Sequence, residues 1–401
     1  MKRTLFILAL LLNFVPKINA QDESKVLKAF YDEALTDQTA YENLLYLCKN
    51  YNGRITGSTQ AEGAVEFTFQ LMNNMNLSRV EKQAVQVPRW VRGEEETASI
   101  QTDKLGFKEV PVTALGMSIG TGENGLSAKV IEVQDFKELE EFGTEKIKGK
   151  IVFFNRPMDP TMINTFGAYG GAANQRTQGA ARAGAFGAVG VVVRSLTTSQ
   201  DDFPHTGVMS YNDIVPKISA VAISTNGANL LSELLKKDSA LIFYFRTTCH
   251  ELPEVTSHNV IGEIRGSEFP NEIITIGGHI DAWDNGEGAH DDGAGCMQSI
   301  EVLRLFQKLG IQPKRTIRAV MFMDEEVAQR GGKEYARQAA LKNENHYFAL
   351  EADRGALMPR GFGVTAPEER LEKILALKEY FKPYGITDFK KGGGGVDIGL
   401  D

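Results

Sequence analysis

The sequence predicts an α/β protein with a mostly parallel central sheet, interrupted by an inserted block of short strands. Two observations carry this. Over residues 272–350 strand-like and helix-like segments alternate, the pattern of parallel strands joined by helical crossovers. Between about Ala114 and Phe245 the rhythm changes to short strands rich in β-branched and aromatic residues. At 401 residues the chain is long enough for two or three compact domains, and 42% hydrophobic against 24% charged residues is an ordinary globular mix.

The first twenty residues stand apart. Lys2 and Arg3 precede an unbroken apolar run, Leu5 to Leu12, which Pro16 and then Ile18-Asn19-Ala20 close. That order of parts reads as a secretory signal peptide cleaved near Ala20. The run is too short to cross a bilayer, which takes about 20 residues, and no later stretch is long and apolar enough. A secreted or periplasmic protein without a membrane span is therefore expected. The formal net charge of −8 grows more negative once Lys2, Arg3 and Lys17 leave with the leader, which argues against nucleic acid or anionic lipid as a partner. Cys48, Cys249 and Cys296 are too few and too scattered for a disulfide framework or a thiolate metal site, and read as buried free thiols.

Along the chain, residues 23–77 read as helices, with Val26, Phe30, Tyr41, Leu44, Leu45 and Cys48 at helical spacing. Asn52-Gly53 breaks that run, and residues 61–75 form a further amphipathic helix. From Val80 the pattern is strand-like, and Pro88 ends that strand or places it at a sheet edge, since proline cannot donate to a ladder. In the middle region, residues 130–133, 150–154, 188–193 and 241–245 are strands, with a Gly- and Ala-rich helix around 179–184. No cluster of ligands or nucleophiles lies there, so it reads as an accessory insert. The third region runs strand 272–278, helix 293–309, strand 316–323, helix 332–341 and strand 347–350.

Its strand ends carry the chemistry. After the first come His279, Asp281 and the pair Asp291-Asp292; after the second, Asp324, Glu325 and Glu326; after the third, Glu351 and Asp353. Open α/β sheets bind ligands outside the carboxyl ends of their strands. Any one of these acids alone would be a solvated loop residue, but carboxylates gathered in one crevice repel each other unless a cation joins them. Imidazole with carboxylates suits Zn²⁺ and tolerates Mn²⁺ or Co²⁺, and a bridging carboxylate could hold two ions about 4 Å apart.

The stretch GGHIDAWDNGEGAHDDGAG (277–295), with MDEE (323–326) and LEADRG (350–355), resembles the M28 family of zinc peptidases. The likeness extends to GRITGS (53–58), VPRWVRG (87–93), TSHNVIGEI (256–264) and GGGGVDIG (392–399). The resemblance implies a zinc-exopeptidase fold over 21–113 and 246–401, and a protease-associated domain over 114–245. It implies two zinc ions: His279 and Asp353 on one, Glu326 on the other, and Asp291 bridging both. Glu325 matches the general base, Asp281 the residue that orients His279, and Asp291-Asp292 a cis peptide. The glycines 392–395 would let the backbone approach a substrate terminus. The implied activity is an exopeptidase acting on dipeptides or short peptides, with a peptide as partner; a homodimer is compatible with it. The alternatives are an aminopeptidase on longer peptides and a non-catalytic binding protein on a peptidase scaffold.

Two departures bear on this. Val327-Ala328-Gln329-Arg330 stands where relatives often have a Gly-Leu pair, so the specificity of the pocket is not carried over. The resemblance also puts the last ligand, a histidine of the Glu326 zinc, beyond Asp401, with a closing strand and helix. The sequence therefore reads as C-terminally incomplete. Trp283, inside the metal loop, is expected to line a pocket, and Trp90 to be buried.

Overall fold

The structure, a computed structural model, describes residues 23–103, 106–392 and 396–399. The expected signal peptide and the glycines 393–395 lie outside the described residues. Among the described residues no helix is long and apolar enough to cross a membrane.

Three helices open the chain: α1 (Glu23–Thr36), α2 (Thr39–Asn50) and α3 (Thr59–Asn73). The third shows how local sequence sets an element. The Ser58 side chain accepts a hydrogen bond from the Ala61 backbone at 3.0 Å and caps the helix start. Ala61, Ala64, Val65, Thr68 and Met72 then fall on one face, and that face is the buried one. The chain continues into the long strand β1 (Arg79–Val91), which passes through Pro88 with a shift of register between Val87 and Arg89. As proline requires, β1 is an edge strand.

From Thr97 the chain builds a second sheet. Its strands are β2 (Thr97–Thr102), β3 (Gly106–Glu109), β4 (Val112–Ala114), β5 (Leu126–Val133), β6 (Ile151–Phe154), β7 (Gly190–Arg194), β8 (Ser219–Ile223) and β9 (Ile242–Arg246). They lie in the order β3-β2-β9-β5-β6-β7-β8-β4. Helices α4 (Phe136–Ile147), α5 (Thr165–Ala185) and α6 (Thr225–Lys237) cover its faces and bury separate clusters around Phe243 and Phe154. The boundary read from the sequence at residues 113 and 114 falls inside β4, and β2 and β3 belong to this sheet. Short strands there carry no shift of composition that would mark the passage.

The remainder returns to the first sheet through β10 (His250–Ile264), β11 (Phe269–His279), α7 (Ala294–Lys308), β12 (Arg315–Phe322), α8 (Arg330–Leu341) and β13 (Asn345–Glu351). Then follow β14 (Gly361–Val364), α9 (Glu368–Ala376), α10 (Lys378–Phe381), β15 (Asp388–Lys391) and β16 (Val396–Gly399), whose strands form a small sheet of their own. The central sheet has the order β1-β10-β12-β11-β13. Four of its five strands run in the same direction and β10 alone is reversed. β11 runs parallel to β12 and β13, whereas β10 runs antiparallel to both β1 and β12. Side-chain alternation is the same in either direction, so pattern alone does not report strand polarity. The polarity follows from the path: the chain leaves at the end of β1, builds the second sheet, and returns alongside as β10. Leu47, Val65, Met72, Val260, Cys296 and Leu303 join the helices to this sheet in one core.

The two units meet around Ile55, Trp90, Ala114 and Cys249. Trp90 is buried and its indole donates to the Ser118 carbonyl at 2.9 Å. Trp283 wedges against Gly116, where an added Cβ would lie 2.0 Å from the indole ring. All three cysteines are buried and unbridged.

Candidate metal centre

Strand register assembles the site. His279 ends β11 opposite Phe322, the last residue of β12, and Gly277 lies opposite Glu351, the last residue of β13. Because these three strands are parallel neighbours, the loops that follow them leave from one edge. The residues expected at three strand ends are thereby brought to one crevice.

His279 is fully buried. Its Nε2 lies 3.0 Å from Asp291 Oδ1 and 3.3 Å from Asp353 Oδ1, but is aligned with neither for a hydrogen bond and has no partner. One ligand atom from each of the three residues falls within 4.8 Å of the other two. The opposite ring nitrogen, Nδ1, lies 3.0 Å from the backbone carbonyl of Asp281. A carbonyl only accepts, so Nδ1 carries a hydrogen and Nε2 is the nitrogen that faces the two carboxylates. The carbonyl of Asp281 therefore orients His279, while the Asp281 carboxylate, 3.9 Å from Nδ1, is engaged elsewhere. Its two oxygens accept from the backbone of Glu325 at 3.1 Å and Glu326 at 3.3 Å. Asp281 thus ties the first strand end to the second.

The paired aspartates divide their work. Asp291 faces His279, and the Asp291–Asp292 peptide is cis. Asp292 is buried and turns the other way, accepting from His279 N at 2.9 Å and from Gly295 N at 3.0 Å in the first turn of α7. Glu326 Oε1 is buried without a partner. Glu325 Oε1 accepts from Gln329 Nε2 at 3.1 Å, and burial raises its carboxyl above the usual range. His290 is exposed and lies beside Gly355 and Ala356 instead of joining the His279 cluster.

Two supporting residues escaped the sequence reading. Arg54, in the GRITGS motif, is fully buried and grips the metal loop at both ends. Its Nε donates to Ile280 O at 2.6 Å, Nη1 to Glu287 O at 2.8 Å and Nη2 to Gly288 O at 2.6 Å. Asn259, in TSHNVIGEI, accepts from Met323 N at 2.9 Å and donates to Gly331 O at 2.9 Å, closing the loop that carries Glu325 and Glu326. Both lie far from their partners in sequence, so only their place in shared motifs could have flagged them.

A cleft of about 730 Å³ opens over the site. Trp283, Asp291, Glu325, Glu326 and Asp353 line it, together with Val327, Ala328 and Gln329. Tyr169, Arg176 and His205 of the second unit line the same cleft. The unit that lacks ligands of its own supplies a wall of the cleft.

The residues fit a metal. Two buried polar atoms without partners, His279 Nε2 and Glu326 Oε1, flank exposed carboxylates in a nitrogen and oxygen donor set suited to zinc. The charge balance without metal is unfavourable. Burial, with Asp291 adding to it, pushes Glu326 up to about 9, and burial with the charge of Asp281 pushes Asp324 up to about 7. Burial pulls His279 down, but the Asp291 and Asp353 carboxylates outweigh it and hold the ring well above 6.5. All three groups keep a proton in the fold at a pH where the unfolded chain has released it. Their contribution to stability is full below the unfolded values and is lost as pH rises through the folded ones. The metal-free protein is therefore expected to melt at lower temperature as pH rises from about 5 to about 9. Added zinc is expected to restore more stability at the upper end, because protons compete with metal for the same ligands. Thermal unfolding with chelator and with zinc checks this; a chelated protein whose melting temperature climbs steadily over that range would contradict it.

A sequence model of peptidase family M28 matches residues 259–392. The chain is 33% identical to carboxypeptidase Q of Homo sapiens over 362 residues, covering 90% of this chain and 74% of that one. It is also similar to the crystal structure of a peptidase M28 precursor from Shewanella amazonensis SB2B, with a TM-score of 0.88 and 32% identity over 93% of this chain and 83% of that one. A zinc aminopeptidase from Bacillus subtilis shares the fold at a TM-score of 0.61 and 19% identity, over 88% of this chain and 78% of that one.

Proposed function

The chain belongs to peptidase family M28 and is a zinc metallopeptidase, and from that premise we propose that it is a two-zinc exopeptidase acting on dipeptides or short peptides. The observation that carries the reading is the buried, unpartnered Nε2 of His279 facing Asp291 and Asp353, with Glu325 and Glu326 on the same cleft. His279, Asp291 and Asp353 would hold one ion. Asp291 and the unpartnered Glu326 would contribute to the second, with Asp291 shared. The second sheet is an inserted protease-associated unit in this reading, supported by the way β1 and β10 pair on either side of it. Export is part of the proposal and rests on the leader-like order of the first twenty residues.

Zinc, when bound, lowers the pKa of a water and draws electrons from the scissile carbonyl. The chain supplies the rest. Glu325 accepts the proton of the attacking water and returns it to the leaving amine. Burial raises its carboxyl, which suits a group that must both take and give a proton. Gln329 holds one carboxylate oxygen in place, and Asp281 fixes the backbone from which Glu325 and Glu326 project.

Elemental analysis of the zinc-dialysed protein tests the metal assignment. Two ions per chain are expected, falling by one in Glu326→Ala and by both in His279→Ala combined with Asp291→Ala. A Glu326→Ala protein with as much zinc as the parent would remove Glu326 from the ligand set.

A further inference from the structure

The part of the cleft lining that comes from the second unit carries a cation for which the described residues supply no counter-ion. α5 places Arg176 there, and its Nη2 donates to the Tyr169 hydroxyl at 2.6 Å, with the guanidinium 5.4 Å from that ring's centre. Its Nε is buried and has no hydrogen-bond partner. Among the described residues no carboxylate pairs with it, although the other arginine of the neighbouring helical turns, Arg182, has Glu140. Room for the guanidinium is kept by Gly207, at φ +151, where an added Cβ would lie 2.3 Å from Arg176 Nη1. Arg176, Tyr169 and Gly207 line the same cleft as Glu325 and Asp353.

We propose that Arg176, with the Tyr169 hydroxyl beside it, is the specificity-determining residue of this cleft and binds the free carboxylate of the substrate. The proposal rests on the exopeptidase reading and assigns to the second unit the residue that reads the substrate terminus. A guanidinium offers a planar fork of donors that matches a carboxylate. Tyr169 accepts from Arg176 and so keeps its own hydrogen to donate to the same anion. The carboxylates of Glu325 and Asp353 repel a substrate carboxylate, whereas the Arg176 guanidinium attracts it. One cleft of about 730 Å³ holding both the reacting bond and the anchored terminus limits the peptide length between them. The accessory unit thereby acts in substrate selection without contributing to the chemistry.

The test compares the zinc-loaded protein and Arg176→Gln on the dipeptide Ala-Ala and on its C-terminal amide. The parent is expected to prefer the free acid. Arg176→Gln is expected to raise KM for the acid by about 10- to 100-fold, the usual scale for a hydrogen bond to a charged group, while kcat changes less and the amide is unaffected. Arg176→Lys should recover part of the acid preference. Equal losses on acid and amide would reduce Arg176 to a structural role and overturn the proposal, as would a parent with no preference. Calorimetric binding of the same two ligands to Glu325→Gln gives the comparison without turnover. A parent that cleaves neither ligand would sink the peptidase reading, while the binding ratio would still decide for or against Arg176.

Discussion

Replacing Glu325 by Gln is expected to leave zinc binding nearly intact and to abolish almost all peptide hydrolysis. The carboxylate projects into the cleft from a loop whose backbone is held by Asp281 and whose ends are held by Asn259. Glutamine has the same shape and can still pair with Gln329, so the loop keeps its place. What it cannot do is accept a proton from water and pass it to the departing amine. General acid–base groups of this kind contribute roughly 10²- to 10⁴-fold, and the loss should appear in kcat with KM little changed. Parallel zinc analysis and steady-state kinetics make the check. A variant that keeps both zinc and turnover would remove Glu325 as the base; one that loses zinc as well would make it a ligand.

The second large effect is expected at Arg54, outside the strand-end motifs. Arg54→Met keeps roughly the volume and removes every donor. The carbonyls of Ile280, Glu287 and Gly288 would then face a buried apolar side chain. Each stranded acceptor costs about 1–3 kcal/mol. Those carbonyls lie between His279 and Asp291, so the spacing of two ligands loosens with them. Residues that orient ligands from behind typically change metal affinity by about 10- to 100-fold when removed. Arg54→Met should therefore lower the denaturation midpoint of the metal-free protein and weaken zinc binding together. A stable variant with parental zinc affinity would show that the loop holds its shape without the clamp.

How much of this was legible in the sequence follows from the range of each interaction. Helices α3 and α7 were readable because a repeating apolar face acts within a few residues. The crevice was readable because ligand-type residues cluster just past three strands, and parallel pairing of those strands is enough to gather them. The cysteines, too scattered for a framework, are free and buried. The direction of β1 and β10, the extent of the second sheet and the strand β8 were not readable, since side-chain alternation is blind to polarity and to which sheet a short strand joins.

The sequence by itself determined which side chains gather at the crevice, His279 with Asp291, Asp353, Glu325 and Glu326 at successive strand ends, because the local chain delivers each of them there. Only the tertiary structure decided that the carbonyl of Asp281, and not its carboxylate, faces His279. It also decided that Arg54 and Asn259 brace the ligand loops, and that Arg176 of the second unit faces the site. These contacts join residues that are distant along the chain, and their geometry exists only once two sheets have packed against each other.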